Sequence, residues 1–166
     1  MKPWKNALIS IVLAAVAARE SNAHAQEVMA AGSAHIGSGV ESGGGQFMRA
    51  RTRLRLAIDL RVDESPDDGI EGAAIVDLEP HAALGGDFRY MRLLGSHAAV
   101  NGGVIAYAVP GTLLGGCAGF DIRVPVGKSM ALSVGPDFTI FGLGTDLPDG
   151  TVFWQGLLQV GVRVGL

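Results

Sequence analysis

Cysteine is almost absent from the sequence, which contains Cys117 and no other. A single cysteine excludes an intramolecular disulfide and any metal site that is built from several cysteines. After residue 25 the sequence also lacks an apolar run of the roughly 20 residues that a membrane-spanning helix needs, and it lacks a convincing amphipathic helix. A small domain of this composition must obtain its stability from something other than disulfides.

Lysine is scarce, and positive charge is outnumbered by negative charge. The chain has 13 lysines and arginines against 16 aspartates and glutamates. Nine of the ten basic residues after position 25 are arginine, and only Lys128 is lysine. The acidic balance gives no indication of nucleic-acid binding. Because arginine forms planar, hydrogen-bonded ion pairs, this composition favours paired charges over a solvated surface.

The first 25 residues are typical of a secretory signal peptide. Lys2 and Lys5 supply a positive start, residues 7–17 an apolar core, and an Ala-His-Ala sequence ending at Ala25 a cleavage site. We expect cleavage near that alanine and export of residues 26–166, which have the length of one domain.

The rest of the chain repeats one unit, a strand of about ten residues followed by a turn signal. Within the strands apolar and polar residues alternate, which places them on opposite faces. A domain built from eight such strands belongs to the all-β class. They predict a closed, antiparallel, up-and-down β-barrel, because an even number of strands brings both ends of the chain to one side. The predicted strands cover residues 34–41, 52–62, 70–78, 87–94, 98–108, 112–126, 129–141 and 151–166.

The last strand separates its two faces most clearly. Its even-numbered residues from Trp154 to Leu166 form an apolar face. The odd-numbered residues between them form a second face that includes Gln155, Gln159 and Arg163. One side of this strand is therefore suited to an apolar environment and the other to a polar one.

The final eight residues follow a polar-x-Gly-x-x-apolar-x-apolar pattern, with Gln159, Gly161, Val164 and Leu166 at its fixed positions. This pattern resembles the C-terminal signal by which the insertion machinery recognises bacterial outer-membrane β-barrels. The commonest form of that signal ends in Phe, whereas this chain ends in Leu.

Alternation alone fits two kinds of barrel. A soluble barrel buries its apolar faces, whereas an outer-membrane barrel turns them toward lipid. The apolar faces of the second, sixth, seventh and eighth strands carry no charge over runs long enough to cross a thin bilayer at a tilt. Aromatic residues also gather near the end opposite the termini, as in an interfacial girdle. They are Phe47, Phe88, Tyr90, Tyr107, Phe138, Phe141, Phe153 and Trp154.

The opposite face carries charges of both signs, which we expect to pair inside a narrow lumen. If the second and third strands form a symmetric hairpin about Pro66, three opposite-charge pairs form in one register. These are Arg53 with Glu79, Arg55 with Asp77, and Arg61 with Glu71. Asp121, Arg123 and Arg163 are predicted to face the same lumen.

In pattern, residues 26–166 resemble the small eight-stranded outer-membrane β-barrels of the OmpA, OmpX and OmpW kind. The resemblance implies a monomer in the outer membrane of a Gram-negative bacterium, with periplasmic termini and lipid, lipopolysaccharide and the insertion machinery as partners. It implies a structural or surface-interaction role without a cofactor, and side chains filling the interior would leave no open diffusion pore. The loops expected outside are 42–51, 79–86, 109–111 and 142–150.

Residues that could support catalysis are few and scattered. His35 and Ser38 are an odd number of residues apart, so they point to opposite faces of a strand. His81 and His97 lie in predicted loops at opposite ends of the barrel. Histidines so far apart do not converge as zinc ligands must. We therefore expect neither a metal site nor enzymatic activity.

Arg49 and Arg51 continue the inner face toward the predicted external loop, and they have no acidic partner in the register above. They could contact the phosphates of lipopolysaccharide. The alternative is that they pair with Glu41 or Asp87 at the mouth of the barrel.

Two other functions stay open from the sequence alone. One is an exported soluble barrel, similar to a lipocalin, that binds an apolar ligand in its core. The other is a lipid-modifying barrel enzyme, which would need a His–Ser–acid site assembled in space. The soluble barrel would hide the even-numbered face of the last strand, and the outer-membrane barrel would expose it.

Overall fold

The computed structural model describes residues 28–43, 47–62, 64–79, 81–145, 147 and 151–166. The predicted signal peptide and its cleavage site lie outside the described residues. Within these ranges, no helix is long and apolar enough to cross a membrane.

Eight antiparallel strands form one closed barrel in chain order, and β1 is hydrogen-bonded to β8. The prediction of an eight-stranded antiparallel barrel is confirmed. The strands are β1 (Val28–Gly43), β2 (Phe47–Val62), β3 (Ser65–Asp77), β4 (Ala83–Leu93), β5 (Ala98–Val109), β6 (Leu113–Pro125), β7 (Met130–Gly144) and β8 (Phe153–Gly165).

Several strands are longer than alternation predicts. β1 begins at Val28 instead of residue 34, and Val28 pairs with Val62 at the end of β2. Ladder hydrogen bonds continue wherever a neighbouring strand lies alongside, so Gly-rich and polar segments are drawn into the sheet. The loops predicted at 42–51 and 79–86 are correspondingly shorter, because β1 ends at Gly43, β2 begins at Phe47 and β4 begins at Ala83.

The two ends of the barrel differ in what they carry. We call the end that holds Val28 and Leu166 the terminal end, and it also carries the β2–β3, β4–β5 and β6–β7 connections. We call the opposite end the mouth, and it carries the β1–β2, β3–β4, β5–β6 and β7–β8 connections.

Over the length of the wall every strand turns its even-numbered residues outward and its odd-numbered residues inward. In β8, for example, Trp154 is 43% exposed and Gln155 is 1% exposed. Among the outward strand positions that the structure describes, only Asp68 and Arg92 are charged, and they approach each other to 3.9 Å. With an apolar outside and a charged inside, the barrel is of the outer-membrane type.

The predicted register of the β2–β3 hairpin is wrong by two residues. The observed partners of Arg53, Arg55 and Arg61 are Asp77, Ile75 and Gly69, where the prediction had Glu79, Asp77 and Glu71. The turn is the cause, because Val62 pairs with Ser65, and residues 65–69 belong to β3 instead of a turn about Pro66. A shift of two preserves the face of each side chain, so the arginines still point inward.

The predicted aromatic girdle is only partly present. Tyr107, Phe141 and Phe153 are buried inside the lumen near the mouth, because they fall on odd-numbered positions. Phe88, Tyr90, Phe138 and Trp154 are exposed on the outer wall, but Tyr90 lies toward the terminal end and not at the mouth. The side chain of Phe47 lies outside the described residues.

The narrow lumen requires glycine where an inward side chain meets a neighbouring strand. A Cβ atom at Gly161 would lie 2.1 Å from Cδ2 of His35 and 2.6 Å from the carbonyl oxygen of Ala34. A Cβ at Gly135 would lie 1.7 Å from the carbonyl oxygen of Phe120. These inward positions have no room for a side chain.

We predict that Gly161→Ala destabilises the barrel by about 1–3 kcal/mol, the usual cost of overpacking, because the new methyl group meets His35. The matched control is Gly72→Ala on the outer wall, where a Cβ meets nothing within 4 Å. Urea unfolding of the refolded protein in lipid vesicles measures both. Equal effects of the two substitutions would contradict a steric role for Gly161.

Candidate functional site

Charged side chains from several strands meet in the lumen, and Arg53 lies at their centre. Its fully buried side chain donates from Nε to Asp77 (2.8 Å) and from Nη2 to the hydroxyl of Tyr107 (2.8 Å). Nη2 also donates to Gln155, and Nη1 lies 3.5 Å from Asp137. These partners belong to β3, β5, β8 and β7, so one guanidinium from β2 connects five of the eight strands.

The contacts of Arg53 belong to a continuous ion-pair chain in which arginines and carboxylates alternate. From the mouth inward it runs Arg49, Glu41, Arg51, Asp77, Arg53, Asp137, Arg89, Asp87, Arg55 and Glu71. Five arginines face five carboxylates, so the formal charges of the chain cancel. Burial of these charges is tolerable because each has an opposite charge within hydrogen-bonding distance.

In the inner half of the ion-pair chain, each arginine makes more than one hydrogen bond. Arg55 binds both carboxylate oxygens of Asp87, through Nε at 2.9 Å and Nη2 at 2.8 Å. Arg89 donates to the same carboxylate at 2.9 Å, to the side chain of Asn101 at 2.9 Å, and to Asp137. Such two-pronged contacts are the geometry that arginine favours with carboxylates.

A second, smaller set of charges lies nearer the terminal end. Arg163 pairs with Asp59, and Nε of Arg61 lies 3.5 Å from the same carboxylate. Arg123 lies 4.0 Å from Asp121. The structure therefore places these predicted lumen residues inside the barrel, but Arg61 contacts Asp59 in place of Glu71.

A histidine and a serine that the sequence did not connect are hydrogen-bonded inside the lumen. Nε2 of His35 lies 2.9 Å from Oγ of Ser133 on β7, whereas Ser38 points outward. Nδ1 of His35 is buried and has no hydrogen-bond partner among the described residues. The nearby carboxylate of Asp121 accepts a hydrogen bond from Asn101 at 3.4 Å. The pair thus lacks the hydrogen-bonded acid of a catalytic triad.

The mouth contains an open pocket of about 460 Å³. Its lining includes the basic residues Arg49 and Arg51 of β2 and His81 of the β3–β4 connection. It also includes the apolar residues Leu113 and Phe153. An apolar cluster continues from the pocket into the lumen. Its buried members are Ile75, Ala83, Ile105, Tyr107, Cys117, Phe141 and Phe153.

Arg49 and Arg51 both pair with Glu41, which is the alternative that the sequence left open. Arg51 is 4% exposed. Their contact with lipopolysaccharide stays a prediction. Glu79 is exposed and accepts a hydrogen bond from Thr52 at 3.2 Å, so it is not a lumen partner of any arginine described here.

The residues of the predicted insertion signal divide between the two faces of β8. Gln159 and Gly161 face the lumen, whereas Val164 and Leu166 are exposed on the outside at 41% and 83%. The packing of Gly161 against His35 is a structural reason for glycine at that position. Recognition by the insertion machinery stays a prediction.

Sequence reasoning missed Arg89 and Asp137, which join the outer and inner halves of the ion-pair chain. The sequence offered one signal for them. Both have odd numbers, so alternation places them on the same face as the other inward residues of β4 and β7. Across the described ranges, no group of three or more His, Cys, Asp or Glu side chains could hold a metal ion.

No family model and no curated protein matches the chain. Solved structures with a similar fold include Neisserial surface protein A (NspA), at 14% identity and a TM-score of 0.47, covering 82% of this chain and 96% of that one. A de novo designed transmembrane β-barrel has 11% identity and a TM-score of 0.45, covering 82% and 95%. Ail, the attachment invasion locus protein of Yersinia pestis, solved with the heparin analogue sucrose octasulfate, has 10% identity and a TM-score of 0.47, covering 83% and 99%. At these identities the likeness concerns the fold alone.

We predict that Asp77→Asn lowers the free energy of unfolding by about 3–5 kcal/mol, the cost of removing one partner of a buried ion pair. Asp77 accepts hydrogen bonds from Arg51, Arg53 and Tyr107, so three donors lose a charged acceptor when Asp77 is replaced. The matched control, Glu79→Gln, should leave the stability nearly unchanged because Glu79 is exposed. Urea titrations in vesicles compare the two. A larger effect at Glu79 would favour the register expected from the sequence.

Proposed function

We propose that the protein is an outer-membrane β-barrel of a Gram-negative bacterium, with a structural or surface-interaction role and no open diffusion pore. The observation that carries the proposal is the outer wall, on which Asp68 and Arg92 are the only charged residues among the described outward strand positions. In this arrangement the mouth faces the exterior and the terminal end faces the periplasm.

The exposed side chains of the wall form an apolar surface that would be unfavourable in water. Leu56, Ile58 and Leu158 are each about 60% exposed (63%, 59% and 59%). Contiguous apolar patches above a few hundred Å² are rare on proteins that are surrounded by water. In hydrocarbon the same surface is favourable, and a closed barrel leaves no strand edge unpaired.

The height of the wall supports a membrane location. On β8 the outward apolar run extends from Trp154 to Val164, ten residue steps. At about 3.3 Å per residue this run is about 33 Å long. A strand tilt of about 35–45° reduces its vertical height to about 25 Å, which is the height of the apolar band on outer-membrane barrels.

The outward polar groups of β3 and β4 support the same location. Asp68 accepts a hydrogen bond from the hydroxyl of Tyr90, and Arg92 is 60% exposed beside it. These groups lie toward the terminal end, where they can meet lipid headgroups and water. A charged side chain at the bilayer midplane would instead cost about 2–4 kcal/mol.

The ion pairs inside the lumen support the absence of a pore. Arg53 of β2 and Arg89 of β4 meet at the carboxylate of Asp137 on β7. An eight-stranded barrel has an interior just wide enough for its own side chains. Solutes would have to separate buried ion pairs in order to pass.

The two alternatives receive less support. A soluble barrel with an apolar ligand in its core needs the apolar faces inside, and the structure has the reverse arrangement. A lipid-modifying enzyme needs a reactive site near lipid, whereas the His35–Ser133 pair lies within the lumen and lacks a hydrogen-bonded acid. We therefore include a non-catalytic role in the proposal.

Three partners belong to the proposal. Membrane lipid covers the wall, and the insertion machinery binds the C-terminal strand through the residues at positions 159, 161, 164 and 166. Lipopolysaccharide phosphate is the third partner, and Arg49 is the better placed of the two mouth arginines because its side chain is 38% exposed.

We predict that brominated acyl chains strongly quench the fluorescence of Trp154 in lipid vesicles, because this side chain lies on the outer wall and is 43% exposed. The measurement uses Trp4→Phe protein, so that Trp154 is the only tryptophan.

The control moves the tryptophan by one residue, with Phe153→Trp and Trp154→Phe in the same protein. Position 153 faces the lumen and is 8% exposed, so quenching there should be weak. Equal quenching at the two positions, or stronger quenching at 153, would contradict the proposed orientation in lipid.

We also predict that the protein gives no stepwise current in planar bilayers, because the ion-pair chain fills the lumen. The double substitution Arg89→Ala with Asp137→Ala leaves the net charge unchanged and removes the middle of that chain, so it should produce a measurable current. A steady open conductance of the unaltered protein would contradict a closed lumen.

A further inference from the structure

We propose that the pocket at the mouth binds a small organic anion with an apolar body, such as an aryl carboxylate. The proposal goes beyond the structural role above and does not depend on which side of a membrane the mouth faces. It rests on the size of the pocket, its basic and apolar lining residues, and a hydrogen-bond donor without an acceptor.

The size of the pocket is that of a small-molecule site. Its volume is about 460 Å³, within the range of about 300–1,000 Å³ that is usual for ligand pockets. Two of its lining residues, Tyr107 and Gln155, are hydrogen-bonded to Arg53 and Glu41 of the ion-pair chain. A lining fixed in this way is pre-formed and needs little ordering when a ligand binds.

One side of the pocket is cationic. Arg49 and Arg51 project from neighbouring inward positions of β2, and His81 adds a ring from the β3–β4 connection. Arg51 is almost fully buried, yet its Nε has no hydrogen-bond partner among the described residues. An anionic oxygen in the pocket would supply the missing acceptor.

Another part of the pocket lining is apolar. Leu113 lies at the start of β6, and Phe153 lies at the start of β8. In a closed eight-stranded barrel β6 lies across the lumen from β2, so Leu113 faces the arginines across the mouth. An inorganic anion would leave this apolar side unused, whereas an aryl or branched body would cover it.

The ion-pair chain reinforces the preference for an anion. It begins at the mouth with the cation Arg49 and ends deep in the lumen with the carboxylate of Glu71. The member of the chain that lies nearest the pocket opening is therefore a cation, which can attract a negative ligand.

The test uses the full chain refolded in uncharged detergent micelles and two matched probes followed by 19F NMR. The anionic probe is 4-fluorophenylacetate, and the neutral one is 2-(4-fluorophenyl)ethanol. We expect the anion to bind at least about tenfold more tightly than the alcohol, because only the anion pairs with the guanidinium of Arg51. Empty micelles correct for partitioning of either probe.

Variants test the basic and the apolar lining residues separately. Arg51→Gln should remove the preference for the anion. Arg49→Gln should reduce it, and this variant leaves Glu41 paired with Arg51. Leu113→Asn should weaken both probes to a similar extent. The control is Arg92→Gln, which removes an arginine from the outer wall and should change nothing. Circular dichroism checks that each variant has the β-sheet spectrum of the unaltered protein.

Three outcomes would overturn the proposal. Equal binding of the anion and the alcohol would remove the role of charge. An unchanged preference in the folded Arg49→Gln and Arg51→Gln variants would place the site elsewhere. Competition by inorganic phosphate as strong as that of the aryl carboxylate would show that the apolar side contributes nothing. Because these measurements use micelles, their failure is separate from a failure of the lipid-quenching test.

Discussion

Buried charge is the constraint on which the rest of this barrel depends. Each arginine in the lumen needs a carboxylate within reach, since an unpaired charge there would cost several kcal/mol. Arg53 meets this need with partners on four other strands, and Arg89 meets it with Asp87 and Asp137. The ion pairs therefore fix strands that are far apart in the sequence, a task that a hydrophobic core performs in most small domains.

Space is the second constraint, and the sequence meets it by placing glycine beside large inward side chains. Gly119 faces Asn101 and Asp137, where a Cβ would lie 2.9 and 3.3 Å from their polar atoms. Gly37 similarly faces Gln159, with a Cβ 2.9 Å from its Cγ. A lumen lined by long polar side chains at every inward position would be overfilled. Missing side chains at some positions allow arginines to lie across it at others.

Much of the fold follows from the sequence because side-chain direction in a strand has a period of two. The number of strands and the two unlike faces of each strand come from that period. The choice of the apolar face of β8 as the outer one comes from its lack of charge over a length that can cross a bilayer. The β2–β3 register does not, because Ser65, Pro66 and Gly69 are turn-forming residues that nonetheless extend β3. An error of two residues preserves every face, so alternation cannot reveal it.

The candidate site was less accessible from the sequence for a related reason. Alternation shows that Arg53 and Asp137 face inward, but these residues are 84 positions apart. Nothing local indicates that they meet, because their contact depends on the closure of the barrel and on the reach of a long side chain. The pocket at the mouth is similar, since its lining residues come from β2, β4, β5, β6, β8 and two connections.

The outward charged pair on β3 and β4 has a consequence for how the molecule stands in a bilayer. On β4 the apolar outer residues run only from Leu84 to Tyr90 before Arg92, whereas on β8 they run from Trp154 to Val164. The hydrophobic wall is thus shorter on one flank than on the other. A bilayer of uniform thickness fits such a wall only if the barrel tilts toward its short flank or the bilayer thins beside it. The neighbouring lipids would then differ in packing from one side of the protein to the other.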